Sequence, residues 1–326
     1  MADVLVTENI VGPAMERLGR EWSVAFEPEL WRRPERLGER LEGVRALVVR
    51  NQTQVTEALL ARGAALEIVA RAGTGLDNID VEAASRSGVV VAWTPVQNSV
   101  SVAELAIGLM LALARGIPRG DRHVKQGGWA RHEFHGLELW GKTLGIVGFG
   151  RIGFLTAMRA RGFGMEVVAH DPFVDPDSPL VVEARARLVG LGELLARADV
   201  ISCHLPGGPS TRGLFDYGRF CQAKRGALFV NVARGEVVDE AGLIRALEEG
   251  RLGGAALDVR QVEPPAAGPL SSMDNVILTP HIGAFTREAQ QRVVAAVCRD
   301  VDAVLRGEPA AHYVNFPRPR DRCWPR

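Results

Sequence analysis

The sequence predicts an α/β chain built from two doubly wound parallel-sheet domains. At 326 residues the chain exceeds what a single core ordinarily serves. Short β-like runs alternate with helical stretches, and a strand that returns parallel to its neighbour needs such a crossover. That alternation occurs twice, in two series separated by one long apolar helix.

In the first series the runs Val4–Val6, Ala46–Val49, 66–70 and 89–91 read as strands, and 13–20, 34–41, 56–62 and 80–87 read as the helices between them. After Thr94 and Pro95 the stretch 101–114 is apolar almost all round, with Glu104 as its exception, so it calls for burial between domains or subunits. Strands follow at 144–147, 165–169, 200–203, 227–231, 254–258 and 276–278. Six strands suit one doubly wound sheet. The helix 286–305 comes last, before a Pro/Arg-rich tail expected to fray.

Hydrophobic residues at 47% and charged residues at 24% describe a soluble globular chain rather than a disordered one. Lys plus Arg equals Asp plus Glu at 39 each, so no net field draws nucleic acid or an anionic membrane, and the expected partner is small. The first residues show no basic segment followed by an apolar stretch, and no later apolar run reaches the length of a membrane span. Cys203, Cys221, Cys298 and Cys323 lack paired spacing, which argues against a disulfide framework or a zinc site. Reduced thiols and a cytoplasmic location are the expectation.

The sharpest motif is Gly148-Phe149-Gly150-Arg151-Ile152-Gly153, placed after the apolar run 144–147 and before a helical stretch. There the glycines permit a tight turn and close approach of a pyrophosphate, while the helix start offers unpaired N–H groups and its positive dipole end. Asp171 lies eighteen residues past Gly153, at the end of the next strand, where a carboxylate meets the ribose hydroxyls of NAD and repels the 2′-phosphate of NADP. A Rossmann domain binding NAD is therefore expected.

Two other patterns are discounted. The segment 136–143 satisfies the letters of a P-loop but runs into a strand instead of opening a helix. His132-Glu133-Phe134-His135 spaces its histidines by three where a zinc-protease box needs four, so no metal is expected.

Several further segments, in this order, resemble the D-isomer-specific 2-hydroxyacid dehydrogenase family: 144–153, Cys203-His204-Leu205-Pro206, Asn231-Val232-Ala233-Arg234-Gly235, Ala256-Leu257-Asp258-Val259 with Glu263-Pro264, and Thr279-Pro280-His281-Ile282-Gly283. The resemblance implies Arg234, Glu263 and His281 as the catalytic three. An imidazole titrates near neutrality and suits proton transfer to and from a hydroxyl. A carboxylate on its other nitrogen fixes the tautomer, and a guanidinium fork holds the substrate carboxylate and 2-oxygen. The same resemblance implies His204, Leu205, Pro206, Thr211, Val232, Ala233, Asp258, Gly283 and Val102 as further contacts of the cofactor.

It implies a discontinuous arrangement as well. Residues 1–98 and 286–326 would form a flavodoxin-like substrate-binding lid, residues 99–285 the NAD-binding domain, and substrate would bind in the cleft between them. The helix from Ser101 resembles the family's interdomain and dimer helix, so a homodimer is expected. The stretches 50–53, 71–78 and 284–290 look closest to the 3-phosphoglycerate dehydrogenase branch. In that branch the backbone at Thr74 and Gly75 would cradle the carboxylate of a small anionic 2-hydroxy or 2-keto acid, Arg50, Arg71 and Arg131 would be candidates for a distal phosphate, and Asn51 would be a further substrate contact. Against this, Arg50 and Arg71 can be read as strand ends facing water. Trp93, Val96, Arg260 and Phe285 depart from the family's usual residues. Glyoxylate or hydroxypyruvate reduction, phosphite oxidation and an NADH-binding corepressor-like scaffold therefore remain open.

Overall fold

The structure, a computed structural model, describes residues 2–320. Cys323 and the end of the Pro/Arg-rich tail lie outside the described residues. Backbone contacts divide the chain into two compact units, Met1–Asn98 with Phe285–Arg326 and Ser99–Ala284.

The first unit holds β1 (Val4–Val6), β2 (Val24–Phe26), β3 (Ala46–Val49), β4 (Ile68–Arg71) and β5 (Val90–Ala92). They pair in parallel in the order β2-β1-β3-β4-β5, the flavodoxin-like winding. Alternation along each strand makes the sheet two-faced. Val4, Val6, Ala46, Val48, Ile68 and Ala70 join Met15 and Leu18 with Val293, Val297 and Val301 of the helix Arg287–Leu305. Leu5, Leu47, Val49 and Val69 turn the other way, onto Leu37, Leu41, Leu59 and Leu60. Thr56 and Asp80 cap their helices by accepting from the N–H groups of Leu59 and Ala83, which starts both chain segments at defined residues.

The second unit holds β6 (Thr143–Val147), β7 (Glu166–His170), β8 (Arg187–Leu188), β9 (Val200–Cys203), β10 (Ala227–Asn231), β11 (Leu252–Leu257) and β12 (Val276–Leu278). Their order is β12-β11-β10-β9-β6-β7-β8, a Rossmann winding with one added strand, and every pairing is parallel. Leu144, Ile146, Val167, Ala169 and Val230 face one core, and Val147, Val168, Ile201, Phe229 and Ala255 face the other.

Three features differ from the sequence expectation. The edge strands β2 and β8 are half-exposed runs of three and two residues, too short to carry a period. A helix Ile117–Lys125 was not anticipated, because its residues show no buried face. The apolar helix, here Ser99–Ala114, buries Val102, Ala106, Ile107, Leu109 and Met110 in the core of its own unit, so its composition needs no second subunit to explain it. Thr143, the last residue of the P-loop lookalike, is the first residue of β6, which is the wrong side of a strand for phosphate. Among the described residues no group of three or more His, Cys, Asp or Glu side chains is placed to hold a metal. No single described helix is long and apolar enough to cross a membrane.

Candidate active site

The glycine-rich turn leaves β6 at Val147 and enters the helix Arg151–Gly162. Gly148 has φ +92°, and a Cβ there would stand 2.8 Å from the backbone of His204. At Gly153 a Cβ would stand 2.3 Å from the carbonyl oxygen of Gly148, so the helix can pack this tightly only on glycine. Gly150 instead has nothing within 4 Å and φ −77°. Phe149 is fully buried, whereas the Arg151 guanidinium is exposed over the Phe154 ring and Ile152 is partly buried. Asp171, just past β7, accepts from the N–H groups of Phe149 at 2.9 Å and Phe173 at 3.0 Å, one on each oxygen. Two acceptor positions thus brace the turn and the others remain for a ligand.

Past β9, His204 bonds Ser202 Oγ through Nε2 at 2.9 Å, while its buried Nδ1 has no partner. Burial pushes its pKa down to about 3, so the ring is neutral. Leu205 packs on the neighbouring core, and Thr211 Oγ1 closes the following loop by donating to the Pro206 carbonyl at 2.8 Å. Val102, Val232 and Ala233 are buried, and Val102 lies 3.3 Å from the Cβ position of Gly283.

Three chemistry-bearing loops leave the C-terminal ends of β10, β11 and β12, the edge where open parallel sheets bind ligands. In the first, buried Asn231 shapes the turn, accepting from Ala233 N at 3.0 Å and donating to the Arg234 carbonyl at 2.9 Å. The guanidinium of Arg234 donates to the Ala233 carbonyl at 2.8 Å. In the second and third loops, Glu263 Oε2 meets His281 Nδ1 at 2.7 Å, and Glu263 Oε1 accepts from the Arg260 N–H at 3.0 Å. Burial pushes the Glu263 carboxyl up, but His281, the Arg260 N–H and the charge of Arg234 outweigh it and leave the group below the usual glutamate range. It is ionised at neutral pH.

His281 is held at φ +55°, a left-handed conformation uncommon outside glycine. Asp258 explains how. Its buried carboxylate accepts from Thr279 Oγ1 at 2.6 Å, Ile282 N at 2.9 Å and Gly283 N at 2.9 Å, while its carbonyl accepts from His281 N at 2.8 Å. Both oxygens of Asp258 are thus committed to the loop that carries the imidazole.

The residues expected to serve substrate divide between the units. Arg50, Asn51, Arg71, Thr74 and Gly75 belong to the first unit and Arg131 to the second, where it is exposed in a short 3-10 turn. Arg71 is only 9% exposed and Arg50 partly buried, so neither side chain is the strand end facing water that a plain structural reading expects. Glu8, itself buried, accepts from the N–H groups of Arg50, Asn51, Gln52 and Thr53 at 2.7–3.2 Å and so shapes that loop. The Arg50 guanidinium donates to Gln290 and lies 5.3 Å from the centre of the Phe285 ring. Burial draws it below the usual arginine value, with Glu8 opposing. A Cβ at Gly73 would stand 1.9 Å from Arg71 Nη1, so the tip of that guanidinium occupies the space beside the glycine. Thr74 Oγ1 is within bonding distance of the Thr94 carbonyl at 3.0 Å and Asn98 Oδ1 at 3.1 Å.

Residues 107–283 match the model of the D-isomer specific 2-hydroxyacid dehydrogenase NAD binding domain. The chain belongs to this family. It is 43% identical over 319 residues to a D-3-phosphoglycerate dehydrogenase of Methanocaldococcus jannaschii, covering 97% of this chain and 60% of that relative. The chain thus spans about three fifths of that relative's length. A solved structure from Thermus thermophilus superposes with a TM-score of 0.89 at 36% identity, over 95% of this chain and 99% of the other. A D-lactate dehydrogenase of Aquifex aeolicus, solved with NAD and lactic acid, gives 0.86 at 28% identity over 96% and 99%.

As a family member the chain takes NAD, and its own residues fit that group. Open space at Gly150 lies beside a helix start, the orphaned Nδ1 belongs to His204, whose backbone packs on Gly148 of the same turn, and Asp171 keeps free acceptor positions. Sequence reasoning left Asn231, Glu8 and Gln290 without a role. Asn231 stood inside a quoted motif, whereas nothing in the chain order ties Glu8 to residues 50–53.

Proposed function

We propose that this 2-hydroxyacid dehydrogenase family member is an NAD-dependent enzyme that moves a hydride between NAD and C2 of a small, anionic D-2-hydroxy acid. The observation that carries the reading is the 2.7 Å contact of His281 with an ionised Glu263. The unit Ser99–Ala284 would hold the cofactor through Gly148 to Gly153, Asp171, the loop from His204 to Thr211, and Val102, Val232, Ala233, Asp258 and Gly283. When bound, NAD supplies the hydride acceptor, and NADH the donor, at the nicotinamide ring. During oxidation His281 takes the C2 hydroxyl proton on the nitrogen that Glu263 leaves bare, and during reduction it returns the proton to the ketone. Glu263 holds the tautomer and stabilises the cation formed in between. Arg234 orients the substrate carboxylate and 2-oxygen by its fork.

The first unit would supply substrate contacts through Arg50, Asn51, Arg71, Thr74 and Gly75, with Arg131 from the second. Two sequestered arginines suit a substrate with more than one anionic group. The name of the Methanocaldococcus relative makes 3-phosphoglycerate the favoured choice. A homodimer and a cytoplasmic location complete the reading; exposed Ile117, Val124 and Trp129 support the first, and the free thiols of Cys203, Cys221 and Cys298 support the second.

The test is NADH consumption with phosphohydroxypyruvate, hydroxypyruvate, glyoxylate and pyruvate, and NAD reduction with phosphite and formate. Phosphohydroxypyruvate is expected to give the highest kcat/KM. Turnover of phosphite alone overturns the substrate class, and NADH binding without turnover overturns the enzyme. His281→Ala is expected to lower kcat roughly 10²–10⁴-fold; an unchanged kcat removes His281 from the mechanism.

A further inference from the structure

An ion pair outside the proposed reacting set fastens the loop that delivers Glu263. Arg260 reaches Glu240 through two parallel bonds, Nε to Oε1 at 2.9 Å and Nη2 to Oε2 at 2.7 Å. The two side chains are only 11% and 20% exposed. Glu240 opens the helix Glu240–Glu248, which Asp239 caps, so the carboxylate stands on an anchored element. Its Oε1 also accepts from the Gln261 N–H at 2.8 Å. Three bonds therefore tie residues 260 and 261 to one helix start.

Arg260 touches the proposed site with its backbone on two sides. Its N–H donates to the Glu263 oxygen that does not face His281. Its carbonyl presses on Gly235, where a Cβ would stand 1.8 Å from that oxygen, and Gly235 directly follows Arg234. The loop that aims the carboxylate thus also confines the turn that carries the guanidinium. A bidentate guanidinium–carboxylate pair fixes orientation as well as distance, which a packed apolar side chain does less sharply.

We propose that the Arg260–Glu240 ion pair is the positioning element of this site, setting the backbone at 260–263 so that Glu263 meets the His281 ring and the Arg234 turn keeps its place. Neither side chain touches the reacting atoms; both act through Glu263. The inference rests on the reading of Glu263 and His281 given above. The pair persists into acid, because the bonds from Arg260 hold the Glu240 carboxyl below the usual glutamate range. Glu263 itself faces His281 and the charge of Arg234, so any loosening of the loop changes how strongly those two act on it.

The experiment is Arg260→Gln, read in two ways. Turnover with NADH and the best keto acid is expected to show kcat lowered roughly tenfold with NADH affinity unchanged, since a small misplacement of a catalytic group is costly. In the protein without cofactor, the carboxyl ¹³C resonance of Glu263 is expected to titrate closer to an ordinary glutamate. Arg260→Lys, which keeps the charge and loses the fork, is expected to fall between. Should Arg260→Gln fail to fold, Glu240→Gln keeps an acceptor for Gln261 and is expected to show the same two changes. A variant with a lower Tm but parental kcat and a parental Glu263 titration overturns the inference. A parent without turnover on any keto acid overturns the functional reading instead, and the titration still decides the positioning role.

Discussion

Gly150 and Gly153 stand three residues apart and separate two questions that a glycine motif usually merges. At Gly153 a side chain collides with the backbone of its own turn at 2.3 Å, so Gly153→Ala strains the fold. At Gly150 a side chain meets no protein atom within 4 Å and the backbone is ordinary, so Gly150→Ala intrudes only on what binds there. Gly150→Ala is expected to keep the parental Tm while weakening NADH binding at least roughly tenfold, as steric loss of the phosphate cradle requires. Fluorescence titration checks the affinity, and unchanged binding would take Gly150 off the pyrophosphate path. Gly153→Ala is expected to lose both affinity and Tm. At this scale the residue types were legible and their bonds were not. Asp258 reads in the chain as a cofactor contact, and its bonds to Thr279, Ile282 and Gly283 could not be read there, because the destination of a lone pair depends on a loop more than twenty residues away.

Among the elements, the parallel sheet of the second unit is knotted at its N-terminal edge by Asp199, the residue before β9. Its Oδ2 accepts from Thr143 N of β6 at 2.9 Å, its Oδ1 takes Lys224 Nζ at 2.5 Å, and its carbonyl accepts from Leu228 N of β10 at 3.0 Å. Burial pushes this carboxyl up, but Lys224 and the Thr143 N–H outweigh it and leave the group below the usual aspartate range. A pKa lowered on folding adds stability that is complete above the unfolded value and disappears as pH falls through the folded one. Asp199→Asn is therefore expected to lower Tm by about 2–4 °C at pH 7, with the gap closing below roughly pH 4. An equal gap at both pH values would mean that packing, not charge, was lost. The strands that flank Asp199 were legible because buried parallel strands are continuous apolar runs. Arg187–Leu188 was not, since two residues at a sheet edge carry no period.

For the whole molecule, two windings followed from the order of apolar runs, because crossover handedness and parallel pairing leave few ways to arrange alternating strands and helices. Surfaces are less legible, and the helix Ile117–Lys125 is the instructive case. It has nine residues and none is buried, whereas helices this short hold in water only when a face is covered. Part of its support comes from Phe134, which lies under Arg119 at 4.5 Å and beside His123 at 5.3 Å. Ile117 and Val124, seven residues apart and so on one side of the helix, remain 56% and 51% exposed, with Trp129 just beyond at 77%. In the proposed homodimer a second copy of the chain would cover these exposed apolar side chains. Ile117→Glu with Trp129→Glu is expected to turn a dimer into a monomer by light scattering on a sizing column, with NADH affinity retained because neither residue belongs to the glycine turn. The helical signal of the region should weaken in the same variant, visible as faster amide exchange over 117–125, since the cover is gone. A parent that runs as a monomer at every concentration, or a double variant that remains dimeric, would place the subunit contact elsewhere or remove it.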